Sequence, residues 1–407
     1  MIYDRGELVL KYKFVIMFMI ILCGTISVAV FNPIIGLLSR ELGLSEIQSG
    51  CLVSVTGLCW LLGGFFWEKT TFMSRKRMLA FIMFVYLATL LLFALLADYA
   101  GTHRNGSSGF FWIFLLLRAI AGYFFGGFLS KAQAYVMSWT TQETRTQGMA
   151  IFGAANGLGF ILGPAMSGGM AAIGLTSPMY AAAALLFMMI ILLWISIPDD
   201  AVQKKDQFAP SLSPFDVRIR FFLWTGLLLS LTINMLQVTI GFYVQDSFGY
   251  EAWEATQLIG LGLAICGSVV VVTQIIISKY LKWRPERMLR LGLWIVVLGL
   301  LGLLSFIRYA YLDFAVLGIG FGLNWLGYSA GAADAVQDHE QRSVASYIAT
   351  LLGGGAFLGP ITGTALYTAH MAVPYSFCTL LFGFSLLIIL SKKKVAITSM
   401  RRESHDK

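Results

Sequence analysis

Polar side chains interrupt this chain only at intervals. Between them lie long stretches that are almost wholly apolar. Twelve such runs cover 14–38, 45–67, 77–99, 110–137, 146–172, 178–197, 220–246, 254–279, 287–308, 311–336, 343–368 and 372–391. A helix crossing a bilayer needs about 20 apolar residues. Backbone in lipid must satisfy its own hydrogen bonds, so each run predicts one spanning α-helix. The first run shows no small-residue cleavage site and outlasts a signal-peptide core, so it is expected to be a retained helix. Residues 198–219 are the longest polar stretch between runs, with Pro198, Pro210 and Pro214. They predict a cytoplasmic linker between two halves, 1–197 and 220–407, the second ending in a basic tail. The predicted fold is an all-α integral membrane protein of 12 transmembrane helices, built as two six-helix bundles related by pseudo-twofold symmetry.

Composition agrees with lipid as the solvent. Of 407 residues, 58% are hydrophobic and only 12% charged, against about 25% charged in soluble domains. The net charge of +8 comes from short loops rather than from a basic patch with aromatics, which argues against nucleic acid as a partner. With an even helix count, 24 of the 29 basic residues fall on the side of the termini. Only Arg40, Arg104 and Arg308 fall on the other side, while Arg118 and Lys131 lie inside the fourth run. The asymmetry predicts cytoplasmic termini in a multi-pass protein of the cell (inner) membrane. Cys23, Cys51, Cys59, Cys266 and Cys378 all sit in apolar runs, where thiols behave as small hydrophobes. No metal-ligand spacing, Walker sequence or nucleophile motif occurs, so no enzyme, cofactor or metal is expected.

One run stands apart. Gly153–Gly169 reads GAANGLGFILGPAMSGG, and a weaker copy, LLGGGAFLGPITGTA, follows at Leu351–Ala365. Each places a Gly-Pro pair inside small residues, a pattern for close helix approach and a bend. The two copies are expected to pack against each other and set the outer closure. Basic turns that enter a span with Arg-Met-Leu also recur, at 67–79 and 278–289.

These residues resemble the major facilitator superfamily, in particular its drug-proton antiporter branch, which includes the tetracycline exporters. Gly159, Gly163, Pro164, Gly168 and Gly169 look like the antiporter motif of the fifth helix. Gly63, Gly64, Glu68, Arg75, Lys76 and Arg77 resemble the loop motif between helices two and three, with Glu68 where the family usually has Asp. LLLRAIAGYFFGG (115–127) looks like the fourth-helix motif, with Arg118 and Gly122 at its arginine and glycine. The resemblance implies secondary transport, export rather than import, and a part for Arg118 in proton coupling. Importers or facilitators of the same fold, and a membrane receptor that transports nothing, are the alternatives.

Chemistry inside the spans marks the candidate site. An arginine at mid-depth costs a few kcal/mol on insertion scales and should face a cavity or a partner, which singles out Arg118. Asn32, Gln133, Asn234, Gln237, Asn324, Trp325 and Tyr328 are further candidates for substrate contact. Asn234, Gln237, Gly241 and Gln245 share one helical face by spacing. Asp98, Asp246 and Asp313 stand near outer ends, and Asp98 and Asp246 are candidate proton-coupling groups. Lys131 and Asp334 have matching depth and opposite charge, predicting an inner gate. Glu68, Arg75, Gly159, Gly163, Pro164 and Gly168 are expected to take part in gating. A cavity holding Arg118 and little negative charge disfavours lipophilic cations and favours anionic or zwitterionic molecules, siderophore-like or drug-like. The expected partners are that small molecule, protons and the lipid bilayer, and the chain is expected to act as a monomer.

Overall fold

The computed structural model describes residues 2–70, 73–102, 107–140, 144–197, 212–281, 283–305, 309–337 and 340–403. Among these, the backbone is nearly all helical. The helices are α1 (Ile2–Ala29), α2 (Phe31–Glu41), α3 (Glu46–Lys69), α4 (Arg75–Thr102), α5 (Ser107–Ser138), α6 (Arg145–Met170) and α7 (Ser177–Ser196). They continue as α8 (Arg220–Phe248), α9 (Ala252–Ile276), α10 (Pro285–Ser305), α11 (Ala310–Asp334), α12 (Gln341–Ala369) and α13 (Val373–Glu403). Twelve spans are long and apolar enough to cross a membrane, as the twelve runs predict. Of the expected linker, residues 198–211 lie outside the described residues.

Two local departures have causes in the sequence. The first run is broken at Val30, so that α1 and α2 form one span, Tyr12–Glu41, with an interruption. Pro33 explains the break, since its ring removes a backbone donor and clashes with the carbonyl four residues back. The eighth span ends in a π-helical turn, Ile277–Leu281.

Two compact units are distinguished. Unit 1 is Met1–Phe208 with Met235–Ala264 and Ala356–Thr368. Unit 2 is Ala209–Asn234 with Ile265–Gly355 and Ala369–Lys407. In unit 1, α3 and α5 lie almost backbone to backbone. A Cβ at Gly122 would sit 2.3 Å from the Thr56 carbonyl oxygen, and one at Gly126 would sit 2.2 Å from that of Trp60. Small residues at these crossings let van der Waals contact replace the missing hydrophobic drive between helices in lipid. In unit 2, α10 and α11 pack the same way, with Gly292 against Asn324 and Gly320 against Val296.

The Gly-Pro helices correct one expectation, for their close partners are other helices. In α6, a Cβ at Gly163 would meet the Ala29 Cβ of α1 at 2.5 Å. The Pro164 carbonyl lies equally close to where a Cβ of Gly260, on α9, would be. In α12, Gly363 faces Met235 of α8, and the Pro360 carbonyl lies 2.8 Å from the corresponding position of Gly50 on α3. Each Gly-Pro helix thus meets two neighbours through its own small-residue face.

Candidate functional site: a buried arginine and a far-end ion-pair latch

Arg118 and the two glycines that follow it at four-residue steps share one face of α5, set against Leu52, Thr56 and Trp60 of α3. The close α3–α5 approach therefore assigns Gly122 and Gly126 to helix packing. It also shuts Arg118 into the bundle, with only 4% of its surface exposed. Its Nε donates over a long 3.5 Å to the Leu52 carbonyl. The guanidinium carbon lies 3.6 Å from the ring centroid of Phe31, so the charge is stacked on an aromatic face. No carboxylate among the described residues pairs with it. Placing arginine at the centre of a span costs about 2.5–3.5 kcal/mol on insertion scales. A desolvated cation–π contact returns about 2 kcal/mol. The two nearly balance, so the position is tolerated while its positive charge stays uncompensated. A narrow cavity opens beside it, lined by Phe31, Tyr86, Thr89, Phe93 and Ala121.

Phe31 is the first residue of α2, so the break at Val30 sets the ring over Arg118. The break is itself held, because Ser167 of α6 donates from Oγ to the Val30 carbonyl at 2.6 Å. One residue on, Asn32 Nδ2 donates to Gln237 Oε1 of α8 at 2.7 Å. These two proposed substrate contacts satisfy each other in this structure.

The far end of α2, remote from α1, carries a second constellation whose pairing the sequence did not expose. Arg40 binds Asp246 of α8 through both nitrogens, at 2.6 and 2.8 Å. It also reaches Glu46 at 2.9 Å and Gln245 at 3.2 Å. Its guanidinium carbon lies 4.5 Å from the Phe242 ring centroid. Tyr367 of α12 donates to Asp246 Oδ2 at 2.6 Å. Four helices, α2, α3, α8 and α12, are tied together here. Forked arginine–carboxylate pairing fixes geometry as well as charge. In the sequence Arg40 registers only as one of three cations on the sparse side. Asp246 stood out as an outer-end carboxylate and Gln245 by its face of α8, but nothing in the sequence paired either with Arg40.

The other candidates are dispersed. Asp98 accepts from Thr176 Oγ1 at 2.8 Å and from Tyr180 at 2.6 Å. Gln133 is exposed on α5, with Nε2 3.8 Å from the Met149 sulfur. Lys131 Nζ donates to the Thr70 carbonyl at 2.8 Å. Glu68 is exposed at the end of α3, and Arg75 opens α4. Gly159 packs on Thr25 of α1, and Gly168 on the α9 backbone around Gln257–Leu261. In unit 2, Asn234 bonds the Ser230 carbonyl of its own helix. Asn324 is buried, with Nδ2 on the Gly320 carbonyl, its Oδ1 lacking a partner. Tyr328 is fully buried, 6.0 Å from Trp325 between ring centroids. Asp334 is exposed at the end of α11. Also in unit 2, Arg218 ties Asp216 to Glu340, both at 2.9 Å. Its hydrogen bond holds the Asp216 carboxyl below the usual range, so this contact persists at neutral pH and is lost only as acid protonates the carboxylate.

Known proteins place the fold. The model of the Major Facilitator Superfamily matches residues 17–360. Multidrug resistance protein 2 of Bacillus subtilis (strain 168) is 22% identical over 406 residues, covering 94% of this chain and 96% of that protein. Tetracycline resistance protein, class C, of Escherichia coli is 26% identical over 274 residues, covering 63% and 67%. Among solved structures, the nucleoside transporter NupG superposes with a TM-score of 0.70 at 14% identity, covering 93% of this chain and 97% of that one. An inward-facing bacterial homolog of the human lysosomal transporter Spinster gives a TM-score of 0.66 at 12% identity, covering 94% and 95%. Twelve spans of matching arrangement and a family match over most of the chain lead to one conclusion: the protein belongs to the Major Facilitator Superfamily and is a multi-pass membrane transporter.

Proposed function

We propose that this transporter exports a small anionic or zwitterionic organic molecule, driven by protons and working by alternating access. The observation that carries the proposal is Arg118, buried, stacked on Phe31 and unpaired with any described carboxylate. A carboxylate-bearing cargo supplies the missing counter-charge, whereas a lipophilic cation is repelled in a low dielectric. A siderophore-like metabolite or a zwitterionic drug meets this requirement. The names of the two curated relatives, both resistance proteins, support export.

The far-end latch supplies the other half of the mechanism. In this reading it seals the outer face, and the termini and the linker 198–219 lie in the cytoplasm. Cargo that reaches Arg118 displaces Phe31 and moves α2, which bears Arg40 at its other end. Protons from outside compete with Arg40 for Asp246 once the latch loosens, and Asp98 is a second carboxylate on that face. The protein acts as a monomer, with bundles 1–197 and 220–407.

Everted membrane vesicles test the proposal. Energised vesicles should accumulate tetracycline, a zwitterion, in preference to ethidium, a cation, and Arg118→Ala should abolish that uptake. High-affinity ethidium uptake unaffected by Arg118→Ala would overturn the charge preference. Uptake that collapsing the proton gradient leaves intact would overturn the coupling.

A further inference from the structure

Three carboxylates stand near the far ends of their helices, and two of them are well supplied with donors. Asp98 has Thr176 and Tyr180, and Asp246 has Arg40 and Tyr367. Asp313 is different. It lies in the first turn of α11 and is only 8% exposed. Its Oδ2 is buried without a hydrogen-bond partner. Its Oδ1 is pressed onto α10, where a Cβ at Gly302 would lie 2.3 Å away. The carboxyl fits there because residue 302 has no side chain.

Among the described residues, the elements packed around it offer no counter-charge. On α10, no titratable side chain follows Arg290, which is 12 residues and thus about 18 Å along the helix from Gly302. The α9 segment beside α11 offers Cys266 as its titratable group before Lys279 at its far turn. On α13, packed against α10, they are Tyr375 and Cys378 before Lys392 opens the basic far part of that helix. His370, in the turn before α13, accepts from the Ala372 amide through Nδ1. On α8, Arg220 lies at the opposite end, toward Ala332. On α11 itself the others are Tyr311, Tyr328 and Asp334, with Tyr309 preceding it. Arg308 lies outside the described residues.

An ionised carboxylate enclosed in this way leaves its lone pairs without donors, which is the costly state of a buried charge. One carboxyl among apolar neighbours is also no metal site, because hard cations need several oxygens. We infer that Asp313 is a proton-binding site of this transporter, carried as the neutral acid in this conformation and ionised when the α10–α11 contact opens to water. On opening, the carboxyl O–H bond breaks, the proton passes to water, and the carboxylate remains. The site is separate from Arg118 and needs no assumption about cargo, so its failure leaves the exporter proposal standing.

The test is infrared titration of the full-length protein in phosphatidylcholine vesicles, with the proton as the only ligand. The wild type should show a protonated-carboxyl C=O band at neutral pH that bleaches in alkali. Asp313→Asn should lose that band entirely, and Asp313→Glu should keep it at a shifted frequency. Thermal denaturation of both variants checks that they fold. An Asp313→Asn spectrum identical to the wild type overturns the proposal. So does a band that appears only after Arg308→Gln, which would make Asp313 the ionised partner of that arginine.

Discussion

The two Gly-Pro helices carry nearly the same sequence pattern but make different kinds of contact. The α6 seam on α9 is backbone against backbone, with the Pro164 carbonyl beside Gly260 and Gly168 beside the Gly260 Cα. The α12 seam on α3 is as close, at Gly50 and at Gly57 beneath Ala356, but it is also bonded. Ser54 Oγ accepts from the Ile361 amide at 3.0 Å. Thr364, against Gly50, turns its hydroxyl back onto the Pro360 carbonyl of its own helix, and Tyr367, one turn further on, joins the Arg40–Asp246 latch. Small residues allow approach, and the side chains around them decide whether the seam slides or is fastened. On the proposed alternating-access cycle, α6–α9 is the contact expected to slide and α12–α3 the one expected to be released by a chemical event.

The largest expected effect tests the close packing of α6 on α9 and on α1. Gly260→Leu or Gly163→Leu forces a side chain into backbone or Ala29. Overpacking of this kind costs about 1–3 kcal/mol, and transport should be lost with a lowered Tm. Gly153→Ala and Gly169→Ala, where an added Cβ meets nothing within 4 Å, should leave Tm and transport unchanged. Equal damage at all four positions would mean that the glycines matter for something other than contact.

Arg118 comes next. Arg118→Ala should abolish transport in vesicles while Tm falls little, because stacking and desolvation nearly cancel at this site. Phe31→Ala should lower Tm by removing the aromatic partner of a buried charge. A large stability loss in Arg118→Ala would instead mark it as a structural residue.

The fastened seam should respond more mildly. The Arg40 and Asp246 side chains are 24% and 38% exposed, and ion pairs so exposed contribute about 0.2–1 kcal/mol each. Asp246→Asn should shift the balance of states by up to about fivefold. The shift is read as faster labelling of a cysteine placed at Gln245 in a background without other reactive thiols. Smallest of all, Tyr367→Phe removes one donor to Asp246 and leaves the ion pair with Arg40 in place, so it should give a partial version of the same shift. If Tyr367→Phe exceeded Asp246→Asn, the tyrosine rather than the ion pair would hold the seam.

What could be read beforehand follows from the range of each force. Spanning helices are written locally, as about 20 apolar residues in a row, and the twelve spans emerge from the sequence for that reason. Pro33 lies inside the first run and is a local cause of a helix break, but nothing local says that the break would seat Phe31 over an arginine. Arg118 could be singled out because charge in lipid is costly wherever it occurs. Its stacking partner, 87 positions earlier in the chain, could not, since nothing local marks a phenylalanine as a cation's neighbour. The same limit hid Asn32–Gln237 and Arg40–Asp246, pairs about 205 residues apart. Helix faces are periodic and visible, but the choice of neighbour is made by three-dimensional fit.

The short helix α2 has one more consequence. Its 11 residues span about 16 Å at 1.5 Å per residue. It is a stiff rod with a pivot at Val30, an aromatic pad at Phe31 and a forked charge at Arg40. N–H···O bonds stay good over only about half an ångström. Lifting the pad by one ångström is therefore enough to spoil the far bonds. The rod transmits displacement and carries no record of what produced it. Within the proposed mechanism the far end answers to how far cargo at Arg118 lifts Phe31, so one mechanical gauge serves anionic or zwitterionic cargoes of different shape.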